Sequence, residues 1–267
     1  MVKQRAFSLL LVLLALLGGC ASSTTETVFE DLPVVEAYLQ PGRPITVQVS
    51  HKVAYDSAGL VLQDLDALSL TVTHAGMAYP MTAVGGGVYA LADSVLAIGY
   101  GESYQLDFQY AGVAVSAVTT VPDQPAGFAL STDLLEIEPF SPGSGTPPSF
   151  NDPIEATWTN ADGSNYLLYF ENTETDPDLI NEDAQGRPSF RVNPTTSNTQ
   201  EVNAFTFEYY GRYRVLLYHL NADYAALYDG NGSNSQNLTA PPTNVVNGYG
   251  IFTGVAADTL WLDVVDP

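Results

Sequence analysis

Hydrophobic and polar positions alternate in short runs through residues 33–122, and glycine or proline separates most of these runs. In the run 68–73, for example, Leu68, Leu70 and Val72 fall on one face of an extended chain. Alternation of this kind between turn residues predicts antiparallel strands that bury one face. The runs lie at 34–39, 45–50, 68–73, 77–84, 88–91, 104–110 and 113–121.

One spacing within these runs indicates how the strands connect. Gly101, Tyr104 and Leu106 follow the glycine-x-x-tyrosine-x-leucine pattern of a tyrosine corner. In that arrangement the tyrosine hydroxyl binds a backbone group upstream, here near Ile98, and fixes a crossover between two sheets. We therefore predict an immunoglobulin-like antiparallel sandwich over residues 33–122, in which these three residues are structural.

The rest of the chain predicts a second antiparallel β domain that is richer in aromatic residues. Pro122 and Pro125 mark the boundary, because proline interrupts a strand ladder. The second domain then covers residues 126–267. Its predicted strands are 154–158, 166–171, 205–210, 213–220 and 259–265, and one short helix is predicted at 222–228.

Two tryptophans of this second domain are candidates for ligand stacking. Trp158 or Trp261 on an outer sheet face can stack on sugar rings or seat a partner, and the alternative for either ring is a place in the core.

Arg212 and Arg214 point to one side of a strand. In so acidic a chain we expect them to pair with neighbours such as Glu208 instead of binding an anion.

The beginning of the chain has the pattern of a secretory signal. Lys3 and Arg5 precede the apolar run 6–17, which is too short to span a bilayer stably. Residues 1–19 are therefore predicted to be a signal peptide that is removed on export.

This signal ends in a lipobox, formed by Leu17, Gly18, Gly19 and Cys20. Cys20 is the only cysteine of the chain. We predict that its thiol is acylated and that the acyl chains hold the protein in a membrane, with residues 20–32 as a flexible tether. The alternative is a spare cysteine at an ordinary secretory cleavage site.

The charge of the chain narrows the choice of partners. The formal net charge is −22, and loss of Lys3 and Arg5 with residues 1–19 leaves 6 basic and 30 acidic residues, a net charge of −24. Such a surface repels nucleic acid, so we expect no nucleic-acid partner. We interpret the acidity as adaptation to a salty medium, and binding of divalent cations is the alternative.

Catalytic patterns are sparse in this sequence. His51, His74 and His219 have no paired metal spacing, and no glycine-x-serine-x-glycine elbow occurs. We therefore predict a non-enzymatic protein with no metal and no cofactor. The 30 acidic residues leave a carboxylate pair for glycoside hydrolysis as an alternative.

The stretch 241–254 carries the most specific pattern outside the lipobox. It resembles the closing motif of a Bacteroidetes-type outer-membrane lipoprotein family, the domain of unknown function 4249. Thr253 departs from the family pattern, because it separates phenylalanine from the glycine that usually follows at once. The motif residues are Asn244, Gly248, Gly250, Ile251 and Phe252.

This resemblance implies a location and a partner, and it implies no catalytic residues. Such proteins are typically outer-membrane lipoproteins encoded near TonB-dependent nutrient transporters. We therefore predict a lipid-anchored, non-catalytic envelope protein that is an accessory of such a transporter, in either leaflet. The alternatives are a surface protein that binds or hydrolyses carbohydrate, and a structural or adhesion protein.

Overall fold

The alternating runs of the sequence form strands, and the described chain is almost entirely β. A computed structural model describes residues 32–52, 63–139, 152–181, 186–228 and 242–267. Through residue 120 the strands are β1 (Pro33–Leu39), β2 (Ile45–His51), β3 (Thr71–His74), β4 (Met77–Pro80), β5 (Thr82–Gly85), β6 (Val88–Leu91), β7 (Ser103–Tyr110) and β8 (Val113–Thr120).

The strands of the second half are more uneven in length. They are β9 (Ala129–Leu130), β10 (Leu134–Glu136), β11 (Ile154–Thr157), β12 (Asn165–Asn172), β13 (Phe190–Arg191), β14 (Thr199–Val202), β15 (Gly211–Leu220), β16 (Val245–Val246) and β17 (Tyr249–Val265). A short helix, α1 (Ala222–Ala225), continues as the 3₁₀ turn Ala226–Tyr228.

These strands form three sheets in the described part of the chain. The largest has the order β13-β12-β15-β17-β1-β2-β6-β5, and β10 also pairs with β17. A five-stranded sheet has the order β16-β8-β7-β3-β4, and a three-stranded sheet has the order β14-β11-β9. All pairs are antiparallel except β1 with β17 and β10 with β17, which are parallel.

The 17-residue strand β17 contributes to both halves of the fold. Its residues 249–254 pair with β1, and its residues 255–264 pair with β15. Phe252 therefore packs in the first core, with side chains such as Leu106, whereas Leu262 packs in the second core, with side chains such as Phe170. Two sandwiches thus share one strand.

The predicted all-β class, with an immunoglobulin-like sandwich before a second aromatic-rich β region and one short helix, is confirmed. The boundary between residues 33–122 and 126–267 stays a prediction. The fold adds that β16 and the first part of β17 pack with the first core, although they come late in the sequence.

Three predicted strands differ in the structure. Residues 205–210 are not a strand, because Ala204 and Phe207 are both buried and a 3₁₀ turn places residues three apart on one side. The run 77–84 is divided into β4 and β5, which lie in different sheets. The predicted strand 259–265 begins ten residues earlier, at Tyr249.

No helix within the described ranges is long and apolar enough to cross a bilayer.

Candidate ligand-binding site

A pocket of about 330 Å³ lies on the face of the largest sheet that points away from the second core. Its lining is dominated by tyrosine rings. The lining residues are Tyr38, Gln40, Leu167, Tyr169, Arg191, Tyr218, Leu220, Tyr224, Tyr228 and Val255. Its volume is at the lower end of the range for small-molecule sites.

The floor of the pocket crosses several neighbouring strands. Arg191 on β13 lies directly opposite Tyr169 on β12, and Leu167 on β12 lies opposite Tyr218 on β15. Successive side chains of a strand point to opposite faces, so these residues occupy the face that Phe170 and its alternating neighbours leave free. The second face of β12 and β15 is therefore apolar as well, and it forms a small cluster of its own.

One wall of the pocket is the turn formed by α1 and the 3₁₀ residues after it. The side-chain amide of Asn221 donates to the carbonyl oxygens of Thr120 (2.9 Å) and Gly254 (3.2 Å). A carboxylate oxygen of Asp223 accepts from the side-chain amide of Asn244 at 2.7 Å. These bonds fix the turn against β17, and the turn carries Tyr224 into the pocket wall.

Two tyrosine hydroxyls of this wall donate to side chains of the protein. The Tyr228 hydroxyl donates to the Tyr224 hydroxyl at 3.0 Å, and the Tyr38 hydroxyl donates to a carboxylate oxygen of Glu36 at 3.1 Å. The ring centroids of Tyr224 and Tyr38 are 5.1 Å apart. The wall is thus held by its own polar groups.

Burial raises the pKa values of three tyrosine hydroxyls that line the pocket. Burial, together with the neighbouring charge of Glu36, raises the pKa of Tyr38 to about 12. Burial also raises the pKa values of Tyr218 and Tyr224 above the usual range for tyrosine. At neutral pH these three residues therefore offer neutral hydroxyl donors and ring faces.

The two candidate stacking residues have different environments. Trp158 is only 4% exposed and packs at 5.6 Å from the Tyr166 ring in the second core, so its assignment as a stacking residue is wrong. Trp261 is 44% exposed, and the guanidinium carbon of Arg212 lies 4.5 Å from its ring centroid. Neither tryptophan lines the tyrosine pocket.

The tyrosine-corner residues lie in the first sandwich, outside the pocket lining. The hydroxyl of Tyr104 donates to the carbonyl oxygen of Ala97 at 3.2 Å and accepts from the Gly99 backbone N–H at 2.9 Å. These are the upstream backbone bonds expected of the motif. Gly101 has a φ of +71°, and Leu106 is fully buried in the first core.

The family motif residues have structural roles. The side chain of Asn244 accepts from the backbone N–H of Phe252 at 3.0 Å and donates to its carbonyl oxygen at 2.8 Å, as a neighbouring strand would. Gly250 has a φ of +88°, and a Cβ atom there would lie 2.0 Å from the Val35 carbonyl oxygen. At Gly248 a Cβ atom would lie 2.8 Å from the Cγ1 atom of Val245.

The remaining motif positions are buried in β17. Ile251 is 4% exposed, and Thr253, where the chain departs from the family pattern, is fully buried. The Thr253 hydroxyl donates to a carboxylate oxygen of Asp223 at 3.3 Å. The motif therefore joins β17 to the turn that forms the pocket wall.

The arginines of β15 are paired, as predicted, although not with Glu208. Arg214 binds the Glu171 carboxylate, with an Nε to Oε2 distance of 2.7 Å. Arg212 lies 3.8 Å from the Asp263 carboxylate. Both partners lie on strands that neighbour β15, whereas the Glu208 carboxylate accepts the backbone N–H of Gly186.

The histidines lie at three separate places. His51 is hydrogen-bonded to the Tyr110 hydroxyl at 2.8 Å, and His74 stacks on Tyr104 at 4.7 Å. His219 stacks on Tyr166 at 4.6 Å. Within the described ranges, no three His, Cys, Asp or Glu side chains are grouped so that they could hold a metal ion.

The lipobox residues Leu17, Gly18, Gly19 and Cys20 and the predicted cleavage site lie outside the described residues. Acylation of Cys20 accordingly stays a prediction.

Sequence reasoning missed the tyrosine pocket because it assigned most aromatic residues to a core. A signal was nevertheless present. Apolar residues occupy both alternating sets in β12 and β15, for example Leu168 with Phe170 and Leu167 with Tyr169. Two apolar faces on one strand require a second covering layer or a binding site.

Fold and pocket together define an all-β protein of two sandwiches that share a strand. The chain belongs to the family described as domain of unknown function (DUF4249), which it matches over residues 22–260. None of the curated proteins matches it.

Among solved structures, the chain is similar to domains A168–A170 of titin, with 13% identity and a TM-score of 0.22. The match covers 72% of this chain and 62% of that chain. It is also similar to the FN1–FN3 domains of chicken CNTN1, with 11% identity, a TM-score of 0.31, and coverage of 72% of this chain and 61% of that chain. The chain thus spans less than two thirds of either structure.

Proposed function

We propose that this chain is a lipid-anchored, non-catalytic binding protein of the cell envelope, and that the tyrosine-lined pocket holds its ligand. The pocket is the observation that supports this proposal most directly. It combines a preformed hollow of about 330 Å³, several ring faces and a few polar groups, which is the usual construction of a small-molecule site. Among the described residues, those that line the pocket include no Asp or Glu.

Thermal shift measurements on the full chain in detergent test ligand binding. A panel of sugars, amino acids and nucleosides should contain compounds that raise the melting temperature of the wild type. The same compounds should raise it less in Tyr169→Ala and Tyr218→Ala, because both rings line the pocket. Tyr100→Ala is the matched control, since Tyr100 is exposed and lies outside the pocket. Equal shifts in all four proteins would overturn the assignment of the pocket.

The second part of the proposal is that this protein works beside a TonB-dependent outer-membrane transporter. Its support is the lipobox ending at Cys20 and the family resemblance of residues 241–254. Mass spectrometry of the amino-terminal peptide should find acyl chains on Cys20, and the lipoprotein isolated from outer membranes should bring such a transporter with it. A Cys20→Ser variant should lose both. An unmodified thiol, or isolation without a transporter, contradicts this part.

Carbohydrate binding is the second candidate function, and the exposure of Trp261 favours it. Trp261 borders a shallow hollow that is also lined by Phe128 and Leu130. A Trp261→Ala variant that loses retention on a polysaccharide matrix would support this function, and unchanged retention would remove it.

A surface without a concave pocket would have favoured a structural or adhesion protein, and the described residues form such a pocket.

A further inference from the structure

The tyrosine pocket has a charge opposite to that of the whole chain. The sequence contains 30 acidic and 8 basic residues, yet the one ionised side chain among the described residues that line the pocket is Arg191. Its guanidinium carbon lies 4.8 Å from the centroid of the Tyr228 ring. Among the described residues it has no carboxylate partner within ion-pair distance.

A second arginine lies beside the pocket. Arg43 lines an adjoining hollow of about 560 Å³ that shares Tyr38 with the pocket. Arg43 is exposed, and in the described part of the chain it too forms no ion pair. Burial raises the pKa of Tyr218; the charges of Arg214 and Arg43 oppose that rise, and the charge of Glu171 adds to it.

The carboxylates near the pocket are already engaged. Glu36 accepts the hydroxyl of Tyr38, and Glu171 is bound by Arg214. Asp223 accepts from Asn244 and from Thr253. Acidic groups near the pocket therefore have partners within the protein, whereas Arg191 and Arg43 have no ion-pair partner among the described residues.

The polar groups that remain include tyrosine hydroxyls, which can donate as well as accept. The hydroxyls of Tyr169 and Tyr218 make no hydrogen bond within the described ranges, and both line the pocket. A guanidinium pairs strongly with a carboxylate, and neutral hydroxyls can donate to the lone pairs of the carboxylate that remain. Ring faces on the floor and wall favour a flat or ring-shaped body.

We propose that the pocket binds a small carboxylate-bearing ring compound, whose ring lies against the tyrosines and whose carboxylate pairs with Arg191. This inference rests on the proposed function, since it names the ligand class of the same pocket. Arg43 adds attraction at the Tyr38 side. Either an acidic sugar or an aromatic acid carries this chemistry.

Calorimetric titration of the full chain in detergent distinguishes an acidic sugar from an aromatic acid as the ligand. The probes are glucuronate with glucose as its neutral counterpart, and benzoate with benzamide as its neutral counterpart. We expect at least one acid to bind about tenfold more tightly than its neutral counterpart, because a charge-assisted bond to Arg191 is lost in the neutral compound. Binding of glucuronate alone assigns an acidic sugar, and binding of benzoate alone assigns an aromatic acid.

Three variants identify which positive charge is responsible for binding the carboxylate of the acid. Arg191→Gln should weaken binding of the acid about tenfold and leave the neutral compound unchanged, and Arg43→Gln should have a smaller effect. Arg187→Gln removes the same charge from an exposed position outside the pocket lining and should change nothing. Equal losses in Arg187→Gln and Arg191→Gln would mean that net charge alone acts, which overturns the inference.

The two proposals fail in different ways. Equal affinity for the acids and their neutral counterparts overturns the carboxylate assignment and leaves a binding pocket. Failure of both acids to bind, while the lipoprotein still brings a transporter with it, also overturns the ligand class alone. Loss of acylation and of the transporter contradicts the proposed function, and it leaves the interpretation of the titrations unchanged.

Discussion

At the scale of single residues, the hydroxyl of Tyr104 connects the loop before β7 to the first core. The ring is 1% exposed, and its hydroxyl binds the backbone at Ala97 and Gly99. A Tyr104→Phe variant keeps the ring and loses both bonds. We expect a loss of about 1–2 kcal/mol in the free energy of unfolding, measured by chemical denaturation.

Tyr100→Phe is the control for this substitution, because the Tyr100 ring is 42% exposed and the loss of its hydroxyl should cost little. Equal stability of the wild type and Tyr104→Phe would contradict the structural role of the corner.

Tyr38 makes stability depend on pH in the alkaline range. Its pKa is raised from 10.0 to about 12, so the folded state holds this proton more tightly than the unfolded state does. Its contribution is complete below pH 10 and is lost as the pH rises towards 12. The stability advantage of the wild type over Tyr38→Phe should therefore shrink between these values in denaturation curves. A constant difference would contradict the assigned shift.

At the scale of elements, the glycines of the family motif allow β17 to lie against β1. Gly250→Ala adds a methyl group 2.0 Å from the Val35 carbonyl oxygen at a φ of +88°. We expect a loss of about 3 kcal/mol or more in the free energy of unfolding, because backbone strain and a clash with main-chain atoms add together.

Gly112→Ala separates these two causes. Gly112 has a similar φ of +82°, and a Cβ atom there would meet no atom within 4 Å. It should cost only the strain, about 1–2 kcal/mol. Equal losses for the two variants would show that the close approach to Val35 contributes nothing.

The strands were largely predictable from sequence, because alternation reports which residues share a face. Alternation does not say which of two apolar faces is covered. It places Leu167 and Tyr169 opposite Leu168 and Phe170, and only the packing of the second sandwich shows that the former line a pocket. For the same reason Trp158, which directly follows the short strand β11, could not be assigned to the core in advance.

The reach of β17 was not predictable, because glycine usually ends a strand pattern. Gly250 and Gly254 nevertheless lie inside the strand. Glycine is needed at 254 because the neighbouring backbone leaves no room for a side chain: a Cβ atom there would lie 2.5 Å from the Val121 Cα atom. Such contacts join segments that are distant in sequence, and no local pattern encodes them. The hydrogen bonds of Asn244 to Phe252, by contrast, are local and agree with a structural motif.

At the scale of the whole molecule, the shared strand should make the two cores unfold together. Leu106→Ala creates a cavity in the first core and should cost about 2–5 kcal/mol. The two tryptophans of the chain, Trp158 and Trp261, both lie in the second half and report on it by fluorescence. Their transition should move to lower denaturant concentration by the same amount as the transition followed by circular dichroism.

Leu262→Ala, in the second core, is the reciprocal variant. A tryptophan transition that is unmoved by Leu106→Ala, with an earlier separate phase in circular dichroism, would contradict this coupling.

The acidity of the whole chain gives a prediction about salt. Self-repulsion at a net charge of −22 lowers the stability of the folded state, and salt screens it. The melting temperature should therefore rise from low to molar sodium chloride, and millimolar calcium should add nothing. A rise with calcium alone would favour the divalent-cation alternative, and equal melting temperatures in all conditions would contradict both interpretations.

The position of β17 in the chain bears on when folding can finish. Its partner in the first sandwich, β1, is the first strand of the described residues, and β17 is the last. Neither hydrophobic core can close around Phe252 or Leu262 until these late residues have emerged. Synthesis of the chain therefore leaves both cores incomplete until the last described strand is available, and the two sandwiches can finish folding only then.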